Sequence, residues 1–169
     1  MGLGPGTFTG IRVGIATARG LSVSLGVPAR GVCTLDALGR GIQEQGGSLA
    51  LAVLDGWRGE VFAALYGPDG ERLWEPAVFR PEDLAERVAA LEETPSVAGS
   101  GAVRFRKELT RDGVRIPDDS DPVHRVAARH LCALAAATAG EESEELAPIY
   151  LRPPDAERWR ERDASQRAK

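Results

Sequence analysis

The sequence predicts an α/β fold in two lobes. Three features point there: a glycine-rich turn that opens a long helix, three short apolar runs joined by the turns DGWRG and GPDG, and helices opening on proline or acids around a further short strand. A chain of 169 residues is long enough for one modest domain or two small lobes. With 43% hydrophobic and 27% charged residues, its composition is that of a globular protein, not of a disordered tail or a fibrous repeat.

The first element is a helix over Thr9 to Leu25, with Thr7 or Thr9 as its cap and Gly26 ending it in a left-handed conformation. Ile11, Ile15, Ala18, Leu21 and Leu25 fall at helical spacing as an apolar stripe, and Arg12 and Arg19 share another face. Gly14 and Gly20 sit inside the helix, where each costs about 1 kcal/mol relative to alanine. With Gly10, Thr17 and Ser24 they let another backbone come close, either the domain's own sheet or the helix of a partner. A short strand over Pro28 to Val32 and a helix over Leu35 to Gln43 capped by Thr34 follow.

The polar break Gln43 to Ser48 marks the lobe boundary. Leu49 to Leu54, Glu60 to Tyr66 and Glu71 to Trp74 then read as an antiparallel meander. Pro81, Glu82 and Asp83 open a helix with Leu84, Val88 and Leu91 on one face. Ser96 to Ala98 is a strand, Ala102 to Leu109 a helix, and a short strand is expected near Val114. Asp121 as cap, Pro122 in the first turn and Gly140 past the end frame one more helix, with Val123, Val126, Ala127, Leu131 and Leu134 inward.

Three antiparallel strands, a helix, a strand and two helices are the order of a ribonuclease-H-like lobe, the unit duplicated in actin-like proteins. The expected organisation is therefore residues 1–43 as the remnant of an N-terminal lobe, 44–152 as a ribonuclease-H-like C-terminal lobe, and 153–169 as a tail with Trp159 as its one apolar anchor. Before Gln43 there is only the loop, helix, strand and helix, so the N-terminal lobe is expected to be truncated.

The net charge of −4 argues against a protein that holds nucleic acid by phosphate neutralisation alone. Residues 1–42 carry four arginines against one aspartate, leaving the remainder at −7, so the front of the molecule suits an acidic partner. No apolar run is long enough for a membrane helix and no signal peptide opens the chain, which predicts a cytoplasmic protein without membrane contact. Cys33 and Cys132 are too few for a disulfide framework and too far apart in sequence for a CxxC pair.

The turn Gly4–Gly10 opens a helix, and free backbone N–H groups at a helix start receive phosphate, with Gly4, Gly6, Thr7 and Thr9 as the contacts. It matches neither GxxxxGK[ST] nor GxGxxG, and a plain tight connection remains the competing reading. Gly99 to Gly101 carries the same ambiguity. His124 and His130 lie six apart, about 120° from one another on a helix, and cannot chelate one metal from it. Ser96, Ser100 and Ser120 lack the GxSxG context. Asp55 and Glu60 flank a turn with Arg58, and a solvated turn is the simpler reading than a catalytic pair.

Taken together, GLGPGTFTGIRVGIATARGLSVSLGVPARGVCTLDAL resembles the glycine loop, long helix, strand and helix of the bacterial TsaB (YeaZ) family. Asp55 to Tyr66 is similar to that family's DARRGEVY hairpin, Val97 to Ala102 to its VGDGA turn, and Pro148 to Ala156 to its PxYLRxPxA ending. Gly56 and Trp57 replace Ala-Arg, and Ser100 replaces the aspartate of GDG.

The resemblance implies an actin-like fold and an accessory, non-catalytic subunit in the formation of threonylcarbamoyladenosine (t6A) on tRNA. The expected partners are the transferase TsaD, TsaE and a second copy of the chain, with tRNA met only through the complex. No cofactor is expected to be held by this chain itself, although ATP or ADP at an interface of the complex fits the family. The pairing surface it implies is Ile11, Arg12, Gly14, Ile15, Ala18, Arg19 and Leu21. Family members begin with a strand, a hairpin and a helix before the glycine loop, so a truncated gene model or a fragment is expected. The rival readings are a stand-alone actin-like ATPase, a glycoprotease-type metallopeptidase, and a structural dimer without a link to tRNA.

Overall fold

The structure is a computed structural model and describes residues 1–110, 114–137 and 146–152. In chain order it contains β1 (Gly2–Gly4), α1 (Phe8–Leu25), β2 (Val32–Cys33), α2 (Thr34–Gln43), β3 (Ala50–Asp55), β4 (Val61–Tyr66), β5 (Arg72–Phe79), α3 (Pro81–Ala89), β6 (Ser96–Ala98), α4 (Ser100–Arg104), α5 (Arg106–Leu109), a 3-10 turn at Pro122–His124, and α6 (Ala128–Ala137).

The main sheet has the order β5-β4-β3-β6, with β3 antiparallel to β4, β4 antiparallel to β5, and β3 parallel to β6. The meander is therefore as expected. All six residues of β4 are buried, because both faces of the strand are covered. Successive side chains on a strand point to opposite faces, and the apolar clusters divide accordingly. Leu51, Val53, Val61, Ala63, Leu65 and Val97 pack with Leu84, Ala85 and Val88 of α3, Ala102 of α4 and Leu109 of α5. Ala50, Ala52, Phe62, Ala64, Tyr66 and Ala98 pack with Leu35, Leu38 and Ile42 of α2.

This arrangement bears on the expected lobe boundary. Helix α2, assigned to residues 1–43, is the layer that covers one face of the C-terminal sheet, so the polar break after Gln43 is a turn within one packed unit. Gly39 permits the approach, since a Cβ there would stand 2.5 Å from Cδ2 of Tyr66.

β1 pairs in parallel with β2 in a separate two-stranded sheet. The glycine turn thus contributes a strand of its own, where none was expected, and the strand predicted over Pro28 to Val32 is confined to Val32–Cys33. Ile11 and Ile15 of α1 bury against Leu3 and Leu146 in a third, smaller cluster. Thr34 does not cap α2; Cys33 occupies that position, and the Thr34 hydroxyl accepts from the N–H of Gly4 at 3.2 Å.

The two segments predicted as single helices are broken. The helix over Ala102 to Leu109 divides at Phe105 (φ −108°, ψ 33°). Asp121 does cap, its Oδ1 accepting from the N–H of Val123 at 2.8 Å, but the turn it caps ends at Arg125, which is extended, and α6 starts afresh at Ala128. The buried residue of α6 is His130 rather than Leu131 or Leu134. Residues 114–118 form no strand. Gly140 and the tail from residue 153 lie outside the described residues.

Gly39→Ala is expected to lower the unfolding free energy by about 1–3 kcal/mol, because the methyl group must displace the buried Tyr66 ring. Urea denaturation read by tryptophan fluorescence measures it, and an unchanged midpoint would contradict the packing described.

Candidate functional site

Helix α1 and the loop before it hold nearly all of the predicted site residues. Gly4 is buried with φ 115°, and a Cβ there would stand 2.7 Å from the carbonyl oxygen of Ile149. Its N–H is bonded to Thr34, so this glycine serves close packing and offers no free donor to a phosphate. Gly6, Thr7 and Thr9 are exposed at the start of the helix. Thr7 takes the cap position without a side-chain cap bond, and the first turn carries no acid.

The predicted pairing residues divide between two faces. At 100° per residue, Ile11, Ile15 and Ala18 lie together on the inward side, and the first two are buried against Leu3 and Leu146. They support the helix and are not available to a partner, which corrects the expectation for Ile11 and Ile15. Leu21 is exposed, as are Val13, Val23 and Leu25. The outward face is centred on Val13, Thr17, Gly20 and Ser24, all exposed. Among the described residues, a Cβ at Gly14 would meet only Cε of Met1, at 3.4 Å, and one at Gly20 would meet nothing within 4 Å.

Arg12 and Arg19 are tied to the segment Leu146–Arg152. Arg19 donates from Nη2 to the carbonyl of Leu146 at 3.0 Å, and Arg12 from Nε to the Tyr150 hydroxyl at 2.8 Å. The N–H of Ile149 donates to the carbonyl of Leu3 at 2.9 Å. Arg152 then reaches the hairpin between β3 and β4, donating to the carbonyl of Gly56 at 2.9 Å and pairing with Glu60. This segment is a strap across β1, α1 and the hairpin turn.

The hairpin acids are not simply solvated. Asp55 pairs with Arg104 at 2.6 Å and accepts from the N–H of Trp57 at 2.9 Å, and its own N–H donates to Ser100 Oγ at 3.1 Å. Trp57 and Arg58 both adopt left-handed backbone (φ 60° and 59°), an uncommon state for bulky residues. Ser100 therefore braces the hairpin. Gly99, at φ 121°, is held by its N–H donating to Nδ1 of buried His124 at 3.1 Å, while Nε2 of that ring faces the carbonyls of Pro117 and Asp118 at 3.2 and 3.1 Å. His130 is buried beside Glu44, 3.3 Å from its carboxylate. Each histidine has its own local partners, and among the described residues no three His, Cys, Asp or Glu side chains form a metal-binding group.

A second polar cluster was not legible in the sequence. Asp36 on α2 accepts from the Tyr66 hydroxyl at 2.8 Å and from Arg72 at 2.9 and 2.6 Å, with the pair only partly exposed. Burial and the Asp36 carboxylate push the Tyr66 phenol upward, and the hydrogen bond to Asp36 holds Arg72 charged. Burial, then the same carboxylate, pushes the Cys33 thiol up. The three residues come from α2, β4 and β5, at separations of 30 and 36, and no local pattern signals such a meeting.

Comparison with known proteins places this arrangement. Residues 1–158 match the family model described as TsaD, tRNA N6-adenosine threonylcarbamoyltransferase. An uncharacterised protein of Mycobacterium leprae is 45% identical over 100 residues, covering 59% of this chain and 25% of that protein. The tRNA threonylcarbamoyladenosine biosynthesis protein TsaB of Escherichia coli is 37% identical over 105 residues, covering 59% of this chain and 46% of that protein. The chain thus spans less than half the length of these two relatives. The solved structure of YeaZ from Pseudomonas aeruginosa superposes with a TM-score of 0.68 at 30% identity, over 89% of this chain and 72% of that one. Among the described residues no helix is long and apolar enough to cross a membrane.

The two cysteines are expected to behave differently. Cys132 is exposed, whereas Cys33 is buried with its thiol held protonated. One thiol per chain should react promptly with a disulfide reagent at pH 8 and the second only on unfolding. Prompt reaction of both would contradict the packing around Cys33.

Proposed function

The chain belongs to the TsaD family and, by its likeness to YeaZ, to the TsaB (YeaZ) members of it, and from that membership we propose that it is a non-catalytic pairing subunit in the formation of t6A on tRNA. Its partner is the transferase TsaD, with TsaE joining the same assembly and a second copy of the chain as the alternative occupant of the pairing face. Transfer of the threonylcarbamoyl group to adenosine takes place on TsaD. Any ATP or ADP is held at the interface between subunits, beside the exposed Gly6, Thr7 and Thr9.

One observation carries the pairing role. Gly20 lies in the interior of an 18-residue helix, where it costs about 1 kcal/mol relative to alanine, yet among the described residues nothing beyond the helix's own neighbouring backbone approaches within 4 Å of a Cβ built there. Packing among the described residues supplies no offset for that loss, whereas another backbone laid along Val13, Thr17, Gly20 and Ser24 does. Leu21, Val23 and Leu25, beside that face in the C-terminal half of the helix, are also left in water, and burying such side chains contributes roughly 1.5–3 kcal/mol each. Gly14 and Arg12 flank this face, and Arg19 steadies it through Leu146.

Two substitutions at one position separate pairing from folding. Gly20→Ala should raise the chain's own unfolding free energy by up to about 1 kcal/mol. Gly20→Leu should leave the isolated chain folded but remove co-purification with TsaD and fail to restore t6A in cells depleted of the native subunit. Undiminished complex formation by Gly20→Leu would overturn the pairing surface, and turnover of threonylcarbamoyl-AMP by the purified chain alone would overturn the non-catalytic role.

A further inference from the structure

We propose that Phe8, Arg12, Tyr150 and Trp57 form a stacking surface for unpaired nucleotides of RNA, so that this chain touches the RNA substrate directly. The inference rests on the reading of the chain as a tRNA-modification subunit and adds a contact which that reading did not contain.

Arg12 is the anchor. Its guanidinium lies 3.8 Å from the centroid of the Phe8 ring and 5.9 Å from that of Tyr150, with Nε bonded to the Tyr150 hydroxyl. No carboxylate pairs with it among the described residues, so two rings fix its position while its charge remains unneutralised. The Phe8 and Tyr150 rings stack at 5.5 Å and 25°, yet remain 45% and 38% exposed. Aromatic faces and arginine planes in this arrangement are the elements that hold unpaired bases.

Trp57 supplies a second station. It is 56% exposed at the hairpin tip, with φ 60° and its N–H fixed by Asp55. The strap connects the stations, because Arg152, two residues after Tyr150, grips the carbonyl of Gly56 beside Trp57. The acids that would repel a phosphate here, Asp55 and Glu60, are each bound by an arginine, Arg104 and Arg152. An apolar protein partner would leave the guanidinium without a counter-charge, whereas a nucleotide offers a π face and a phosphate together.

The surface is also distinct from the pairing face. Arg12 and Phe8 stand roughly 100° and 140° around the helix from Val13, which leaves room for a protein on one side of α1 and RNA on another. The net charge of −4 limits how many phosphates the chain can neutralise, so binding should come mainly from stacking and depend weakly on salt.

Fluorescence anisotropy of the full chain with a fluorescein-labelled single-stranded oligouridylate of ten nucleotides tests this, with a blunt RNA duplex as control. Saturable binding to the single strand and not the duplex is expected. The slope of log affinity against log salt should be about −0.7 to −1.4, as for one or two phosphates. Trp57→Ala and Tyr150→Leu should each weaken binding about 5- to 100-fold, with Trp57→Phe close to wild type and all three melting cooperatively. Equal affinity for the duplex, a steep salt slope, or unchanged binding by both truncated variants would overturn the proposal. Restoration of t6A in depleted cells is scored separately. A chain that restores t6A without binding the oligonucleotide loses this inference and keeps the pairing role. A chain that binds through these residues but restores nothing keeps the surface and loses the tRNA reading.

Discussion

The fold depends on the burial of β4. A strand whose six residues are all removed from water needs an apolar layer on each face, and the chain provides these layers from opposite sides in sequence. Helix α2 arrives from before the sheet, and α3, α4 and α5 from after it. This constraint ties residues 34–43 to the sheet. It also sets Asp36 against Tyr66 and Arg72, and it aligns the β3–β4 hairpin so that its tip meets the strap.

Much of that order was legible because it is local. The short apolar run Val61–Tyr66 and the proline with two acids at Pro81–Asp83 are signals contained within a few residues, and the strand and helix they announced are present. The errors arose where a distant group won. The helix predicted from Asp121 onward is interrupted at Arg125 just after His124, whose ring is engaged with Gly99 and the 117–118 carbonyls. Thr34 has a capping hydroxyl by type, but Gly4 reaches it from the neighbouring strand. Asp55 and Glu60 look like a solvated pair because Arg104 and Arg152 lie 49 and 92 residues away.

The candidate site divides in the same way. That α1 is long, glycine-bearing and interrupted by arginines was plain, and so was its likeness to the TsaB (YeaZ) family. Which side of it faces outward was not, since Ile11, Ile15, Ala18, Leu21 and Leu25 form one continuous stripe by period alone. Leu3 and Leu146 cover only the first part of it, so the stripe is core at one end and surface at the other. The small residues around Gly20 acquire significance only once no other described residue is found in the space beside that glycine.

The strap has a consequence for how the molecule is made. Arg12 and Tyr150 are 138 residues apart, so α1 leaves the ribosome well before the segment that clasps it. At roughly 5–20 residues per second, translation leaves an interval on the order of ten seconds between them. During that interval α1 has emerged without its fastening, and its apolar residues are open to nascent-chain chaperones, or to a subunit that binds it before synthesis is finished.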